Sequence, residues 1–187
     1  MSGTLFFVVG ASGVGKDTLI RGARQTLAGD ESFVFARRTI TRPPDVGDEG
    51  HEHVTAAEFE KVRASGGFFI AWAAHDLLYG IRTKYRELLM NRKNVVVNGS
   101  RAAIPDLLQV VPDAIIVQVT ASAAVVAQRL AMRAREDESE IRARLQRGSL
   151  STPAGARTLT VANDSDEASG VAAFTSILRQ HACPTAI

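Results

Sequence analysis

Residues 10–18 read Gly-Ala-Ser-Gly-Val-Gly-Lys-Asp-Thr, and this stretch decides the fold of the chain. The apolar run Leu5–Val9 before it is typical of a buried strand, and residues 18–27 after it are typical of a helix. Three glycines at this spacing let the backbone turn tightly, so that successive N–H groups point inward at an anion. Strand, glycine-rich loop, lysine and helix in this order indicate a phosphate-binding loop for a nucleoside triphosphate.

The lysine of this loop, Lys16, is the predicted catalytic residue. Its ammonium group supplies a point charge for the β- and γ-phosphates, and a helix beginning near Asp17 directs its positive end toward the same anion. The residues predicted to bind the ATP phosphates are Gly10, Ala11, Ser12, Gly13, Val14, Gly15, Lys16, Asp17 and Thr18.

One position departs from the usual pattern, because Asp17 stands where such loops normally carry Ser or Thr. A carboxylate is a hard oxygen ligand, so Asp17 and the adjacent Thr18 are the predicted ligands of a Mg²⁺ cofactor. In the alternative interpretation, Asp17 is only a favourable acid in the first turn of the helix. The residue type alone does not separate the two.

Composition predicts a single domain, 1–187, with a full hydrophobic core, since 45% of the 187 residues are hydrophobic and 22% are charged. The net charge of +2 comes from scattered arginines, which favours small anionic ligands over nucleic acid. The apolar runs are too short for a membrane helix and no signal-peptide pattern is present, so a cytoplasmic protein without a membrane partner is expected. The single cysteine, Cys183, excludes an internal disulfide. The oligomeric state is left open, and a homodimer is compatible with the sequence.

Apolar runs suited to buried parallel strands alternate with helical patterns along the chain. The runs lie at residues 5–9, 32–36, 95–97, 114–119 and 159–162, and three-four spacing of apolar residues recurs within 104–111, 126–134 and 171–178. This alternation predicts an α/β fold with a parallel sheet covered by helices on both faces.

Two stretches interrupt the alternation. Residues 37–92 open with a segment rich in Pro, Gly and charge, and they are predicted to form an acceptor-binding insertion with a helix at Ala56–Ala64. Residues 129–147 contain six arginines interleaved with acids, which suggests a mobile lid over the phosphates. The alternative for the second stretch is a solvated helix face with ion pairs between successive turns.

Five features of the chain carry a resemblance to a known family: the phosphate loop, the segment Arg38-Thr-Ile-Thr-Arg-Pro-Pro, the Glu58-Phe59 pair, the Tyr79-Gly80 pair and Asn163-Asp164. Together they resemble the guanylate kinase superfamily. The resemblance implies a three-layer P-loop NTPase fold with a five-stranded parallel sheet, an acceptor-binding region at about 37–92 and an arginine-rich lid at about 133–145. It also implies that Asn163 contacts the adenine of ATP and that Arg42 binds a phosphate of the acceptor. The lid arginines Arg133 and Arg135 would then be catalytic.

The chain departs from guanylate kinases on the acceptor side. Asp45 replaces a second phosphate-binding arginine, Ala71 stands where the resemblance places a guanine-reading glutamate, and an acidic strand end has become Asn98-Gly-Ser-Arg101. A site that selects a base needs polar groups paired with it, so GMP is a poor candidate. The same replacements resemble a neighbouring branch, the ribose 1,5-bisphosphate phosphokinases of phosphonate breakdown, which make 5-phosphoribosyl 1-diphosphate.

That resemblance implies a phosphorylated pentose as the second substrate. A ligand with two phosphates needs several donors, and the predicted acceptor-binding residues are Arg38, Arg42, His75, Tyr79, Asn98 and Arg101. A phosphate acceptor is largely dianionic at neutral pH and needs no general base, which agrees with the absence of an obvious acid-base pair in the sequence. His51 and His53 are expected to be structural, and Trp72 is expected to pack in the core.

Two other functions remain open from the sequence. A nucleoside-monophosphate kinase with altered base preference would share every feature of the ATP side. A guanylate kinase-like interaction module would bind a protein at the acceptor groove without catalysis, although such a module has no need of the complete loop with Lys16. A P-loop regulator or motor is the third alternative, and it is disfavoured because only about 170 residues follow the loop, with no added oligomerisation region.

Overall fold

A five-stranded parallel sheet forms the centre of the fold. The structure, a computed structural model, describes residues 2–43, 50–74, 76–132 and 156–184. Its elements in chain order are β1 (Leu5–Val9), α1 (Lys16–Thr26), β2 (Phe33–Phe35), β3 (Arg38–Ile40), β4 (His51–His53), α2 (Ala56–Ala64), β5 (Phe68–Ala74), β6 (Leu77–Arg82), α3 (Lys84–Met90), β7 (Asn94–Asn98), α4 (Ile104–Val110), β8 (Ile115–Thr120), α5 (Ala123–Met132), β9 (Thr158–Ala162) and α6 (Glu167–His181), with a 3-10 turn at Arg101–Ala103.

The central sheet has the strand order β2-β7-β1-β8-β9, and all its pairs are parallel. Its middle strand, β1, is buried along its whole length and sends alternate side chains into two cores. Phe6 and Val8 pack with α1 and α6 on one side, whereas Leu5, Phe7 and Val9 pack with α3, α4 and the insertion on the other. The predicted three-layer α/β fold is confirmed, because a strand buried on both faces needs cover from both sides.

The boundaries of the regular elements differ little from the predicted ones. Helix α1 begins at Lys16, next to the start predicted near Asp17, and the left-handed Gly15 at φ 91° is the residue that caps it. The helix predicted in the insertion is found at Ala56–Ala64. It begins with a capping box, in which Thr55 Oγ1 accepts from the Glu58 N–H at 3.2 Å and a Glu58 carboxylate oxygen accepts from the Thr55 N–H at 2.7 Å.

The insertion contains a second sheet that the sequence did not predict. Its strand order is β4-β3-β6-β5, with β3 and β4 parallel and the other pairs antiparallel. Strands β3 and β4 have only three residues each, too few for a periodic pattern, and β3 pairs with a strand about forty residues later. Within the described ranges, no helix is both long and apolar enough to cross a membrane.

A buried asparagine joins the C-terminal segment to the central sheet. Asn94 is fully buried at the start of β7, and its Oδ1 accepts from the backbone N–H of Thr4 at 3.2 Å and of Cys183 at 2.8 Å. Its Nδ2 donates to the Cys183 carbonyl at 3.2 Å. One side chain therefore satisfies three backbone groups that have no strand partner at this edge.

Replacing this side chain should destabilise the whole domain. We expect Asn94→Ala to lower the free energy of unfolding by about 2–4 kcal/mol, because it leaves three part-buried backbone groups without this partner and removes a fully buried side chain. Chemical denaturation measures the change, and Asn91→Ala, at an exposed asparagine near the end of α3, serves as the control with an expected effect below about 0.5 kcal/mol. Equal effects of the two variants would contradict the assigned role of Asn94.

Candidate active site

The glycine-rich loop lies at the carboxyl end of β1, where it turns into α1. Gly13 and Gly15 have φ values of 84° and 91°, which residues with a β-carbon rarely adopt. Lys16 extends back over the loop, and its Nζ donates to the carbonyls of Gly10 at 2.8 Å and Ala11 at 3.0 Å. The structure thus brings the predicted triphosphate-binding residues together in a cradle at a helix N-terminus.

The loop is fastened from behind through the carbonyl of Val14. Asn163, which follows β9 and is only 3% exposed, donates its Nδ2 to this carbonyl at 2.8 Å. Arg129 of α5 donates to the same carbonyl at 3.3 Å and to the Ser165 carbonyl at 3.5 Å. The predicted contact of Asn163 with adenine stays a prediction, since the amide found here is bonded to the loop.

Asn163 is enclosed by two glycines. A β-carbon on Gly15 would lie 2.5 Å from Asn163 Nδ2, and one on Gly170 in α6 would lie 2.4 Å from Asn163 Oδ1. Within the described part of the chain, this buried Oδ1 has no hydrogen-bond partner. The neighbouring Asp164 accepts from the Ser122 N–H just before α5, and this hydrogen bond holds the pKa of its carboxyl below the usual value.

Cations converge on the loop from two directions. The pKa of Lys16 is lowered to about 8, because burial and the positive charges of Arg38 and Arg101 outweigh the opposite effect of the adjacent Asp17. Arg101 begins the turn after β7 and lines a cavity of about 360 Å³ together with Gly10, Ala11 and apolar residues of β8 and α5. Burial also lowers the pKa of Arg101. Arg38 and Arg101 therefore both act electrostatically on Lys16.

Asp17 and Thr18 lie in the first turn of α1, as the predicted metal ligands would require. The Asp17 carboxylate is exposed, and its Oδ1 accepts from Asn98 Nδ2 at 2.6 Å. Among the described residues, no group of three or more His, Cys, Asp or Glu could hold a metal ion by itself. A cation bound here would therefore take most of its ligands from a nucleotide and water, as Mg²⁺ commonly does.

The two faces of the four-stranded sheet differ in charge. Side chains alternate along each strand, and the strand register assigns ten of them to the face that packs toward β1, here called the inner face: Arg38, Ile40, His51, His53, Ile70, Trp72, Ala74, Leu77, Tyr79 and Ile81. This set contains no carboxylate. The opposite, outer face carries Thr39, Glu52, Ala71, Gly80 and Arg82.

An aromatic stack supports Arg38 on the inner face. The Tyr79 ring stacks on Trp72 with centroids 5.5 Å apart, and Trp72 meets Phe7 of β1 edge-on at 6.1 Å. The Arg38 guanidinium lies over the Tyr79 ring at 5.5 Å, and its Nη2 is 3.1 Å from His51 Nε2. Trp72 is buried, as the sequence predicted, and it forms the base of the stack. The stack fixes the position of a positive charge beside the loop.

The outer face has a separate polar cluster that the sequence did not reveal. Arg82 donates to the Glu52 carboxylate through two nitrogens, and Thr39 Oγ1 donates to it at 2.7 Å. The Arg82 hydrogen bond is the main reason why the pKa of Glu52 is lowered. A cavity of about 480 Å³ lies on this side, lined by Arg37, Glu52, Gly67, Arg82, Thr83, Lys84 and Tyr85, and includes none of the predicted site residues.

The remaining predicted acceptor residues are placed differently. Arg42 follows β3 with an exposed side chain, and its carbonyl accepts from His53 Nδ1 at 2.8 Å. Asn98 is at the end of β7 beside the loop, bonded to Asp17. The structure does not describe the remaining predicted positions, which are His75, the catalytic candidates Arg133 and Arg135, and the lid at 133–145.

The enclosure of Asn163 predicts an unusual substitution effect. Gly170→Ala should normally favour α6, since Ala exceeds Gly in helix propensity by about 1 kcal/mol. We expect it instead to lower the free energy of unfolding by about 1–3 kcal/mol, because the new methyl group overlaps Asn163.

A double-mutant cycle with Asn163→Ala checks this cause by chemical denaturation. In the Asn163→Ala background the overlap is gone, so Gly170→Ala should become neutral or stabilising. The same loss in both backgrounds would show that the Asn163 side chain is not what excludes a residue larger than glycine.

Comparison with known proteins agrees with this geometry. No family model matches the chain. In solved structures, the chain is similar to guanylate kinase from Anaplasma phagocytophilum, with a TM-score of 0.65 at 15% identity over 98% of this chain and 88% of that one. This likeness concerns the fold alone, and the fold is that of the guanylate kinase-like P-loop kinases.

Curated proteins are more similar in sequence. A ribose 1,5-bisphosphate phosphokinase PhnN from Acidiphilium cryptum is 45% identical over 95% of this chain and 93% of its own length. A bifunctional ribose 1,5-bisphosphokinase-thymidine phosphorylase from Azorhizobium caulinodans is also 45% identical over 95% of this chain, which spans only 26% of that protein. Identity at this level, over nearly the full length of the first of these two proteins, places the chain in a family. The chain belongs to the ribose 1,5-bisphosphate phosphokinases.

Proposed function

We propose that the chain transfers the γ-phosphoryl group of Mg-ATP to the 1-phosphate of ribose 1,5-bisphosphate. An oxygen of that phosphate bonds to the γ-phosphorus, the bond to the β-phosphate oxygen breaks, and the products are 5-phosphoribosyl 1-diphosphate and ADP. Membership of the family supports this activity, and the names of the relatives specify the substrate. Several relatives are far longer than this chain, so the activity is proposed for the region they share.

The observation that carries the proposal is the composition of the inner face. A base is recognised by hydrogen bonds to its edge, and a site built for guanine needs acceptors for its N–H groups. The described part of this face offers two histidines, Arg38 and Tyr79 among apolar side chains, and no carboxylate. Such a surface suits an acidic sugar better than a purine.

The reaction itself needs little beyond charge and position. Phosphoryl transfer passes through a loose transition state with negative charge spread over the transferred oxygens. Lys16 and Arg101 beside the loop and Arg38 on the inner face would stabilise this charge and hold the two anionic substrates together. The acceptor phosphate is already ionised at neutral pH, so no side chain has to remove a proton.

The residues present fit a magnesium ion. Asp17 offers a carboxylate to solvent beside Lys16, and Thr18 offers a hydroxyl in the same helical turn. These two residues would hold the metal together with nucleotide phosphates. When bound, Mg²⁺ neutralises charge that develops on the phosphate oxygens.

Several residue roles are part of the proposal. Arg42 and Tyr79 would bind the acceptor phosphates at the end of β3 and on the inner face, together with His75. Arg133 and Arg135 would close over the transferring group from the lid, and Asn163 would complete the nucleotide site. Their positions in the sequence match those of the family resemblance.

The function is tested with a panel of acceptors. With Mg-ATP, we expect ribose 1,5-bisphosphate to give kcat/KM at least about 10³-fold above GMP or AMP, because the inner face lacks groups that select a base. Coupled detection of ADP measures the rates, and product analysis should show 5-phosphoribosyl 1-diphosphate. A preference for GMP or AMP would favour a nucleoside-monophosphate kinase, and failure to bind Mg-ATP would favour an interaction module.

The lysine of the loop predicts a pH dependence of nucleotide binding. In the ligand-free protein the pKa of Lys16 is about 8, so its side chain loses its charge above this pH. Bound phosphates favour the charged form, so the complex must take up a proton there, and ADP affinity should fall by up to about tenfold per pH unit above pH 8.

Isothermal titration calorimetry in buffers of different ionisation enthalpy measures both the affinity and the proton uptake. Lys16→Ala should bind ADP weakly and without proton uptake between pH 8 and 10. A native affinity that stays constant from pH 7 to 10 would show that Lys16 does not titrate in this range.

A further inference from the structure

Two departures of the sequence from common P-loop patterns meet in the structure. Asp17 replaces the hydroxyl residue of the loop, and Asn98 replaces an acid at the end of β7. They are 81 residues apart in the chain, yet Asn98 Nδ2 donates to Asp17 Oδ1 at 2.6 Å. The two replacements therefore form one hydrogen-bonded unit rather than two independent changes.

The orientation of the Asn98 amide follows from chemistry. An ionised carboxylate only accepts hydrogen bonds, so the amide must present its nitrogen to Asp17. The amide oxygen then points into the protein, where it is buried and has no hydrogen-bond partner within the described ranges. Leaving a buried carbonyl without a partner is unfavourable. This orientation is therefore maintained by its contact with Asp17.

The backbone around Asn98 is fixed with little freedom. Asn98 is in register with Val8 of β1, and the next N–H, that of Gly99, donates to the Val8 carbonyl at 2.8 Å. A β-carbon on Gly99 would lie 2.2 Å from the Phe7 ring, so the chain passes directly against β1 at this point. The Asn98 side chain thus starts from a rigid position beside the loop.

In P-loop NTPases, Mg²⁺ is held by the loop Ser or Thr and by an aspartate elsewhere in the site. Here the acid is in the loop and the neutral side chain is at the strand end. We infer that Asp17 supplies the acid of the metal site, and that Asn98 is a positioning residue that holds this carboxylate toward the metal of Mg-ATP. This inference rests on the proposed function and replaces the prediction that Asn98 binds the acceptor.

The alternatives account for less of the geometry. An acid that only stabilises the start of α1 needs no donor from another strand, because the helix dipole acts on it directly. A direct role of Asn98 in binding the acceptor phosphates would use its amide N–H groups, and Nδ2 already donates to Asp17. Positioning explains both the short contact and the buried oxygen, since outer-shell partners commonly orient metal ligands.

The experiment exchanges the two residue types. Four variants are compared with the native protein: Asp17→Ser, Asn98→Ala, the exchange Asp17→Ser with Asn98→Asp, and Asn91→Asp as a control that adds a charge at an exposed site. The probe is Mn²⁺, and electron paramagnetic resonance of free Mn²⁺ gives its dissociation constant for the protein–ADP complex. ADP affinity without metal is measured in parallel as the reference for an intact loop.

We expect Asp17→Ser and Asn98→Ala each to weaken Mn²⁺ binding by about tenfold or more, while metal-free ADP affinity changes by less than about threefold. The exchange should return Mn²⁺ affinity to within about threefold of native, because it restores the usual arrangement of acid and hydroxyl. The Asn91→Asp control should match the native protein.

Three results would overturn the inference. One is native Mn²⁺ affinity in Asn98→Ala, which also decides the matter if the exchange variant does not fold. Another is an exchange variant that folds and binds Mn²⁺ no better than Asp17→Ser. If the native protein binds no ADP at all, the proposed function fails and the inference with it. Normal ADP binding with unchanged Mn²⁺ affinity in the variants refutes the inference alone.

Discussion

The carbonyl of Val14 is the point on which the geometry of the site depends. A phosphate loop works only if its N–H groups all face the ligand, and its carbonyls must then be satisfied from the other side. Asn163, just after β9, and Arg129 of α5 both donate to this one carbonyl. The glycines at 15 and 170 leave room for the amide that does so. The cradle is thus held by groups distant in sequence, and its front remains open to an anion.

Charge is distributed unevenly around the site. Burial, together with the positive charges of Arg38 and Arg101, lowers the pKa of Lys16, whose ammonium group donates to two loop carbonyls. Arg38 is held over an aromatic stack that reaches back to β1, so its charge is placed by packing. The acid on the outer face, Glu52, is neutralised by Arg82. Positive charge is therefore concentrated on the side where two phosphorylated substrates would meet, which suits phosphoryl transfer between them.

The fold of the acceptor region leaves its substrate to be set by individual side chains. The guanylate kinase from Anaplasma phagocytophilum shares the architecture at only 15% identity, so the fold does not specify the acceptor. In this chain, strand alternation puts Trp72 and Tyr79 on the inner face and Ala71 on the outer one. The side chains on one face of a small sheet thus decide the chemistry that the site offers.

The sequence by itself determined the loop, the parallel sheet and the helices around it. Tight turns require glycine and buried strands require apolar runs, and both are local properties that can be read from neighbouring residues. Tertiary structure alone decided that Asn98 meets Asp17, that Asn163 supports the loop, and which face of the insertion carries Arg38. These depend on strand register and on contacts between residues 81 or more positions apart, and a one-residue change of register would reverse the faces.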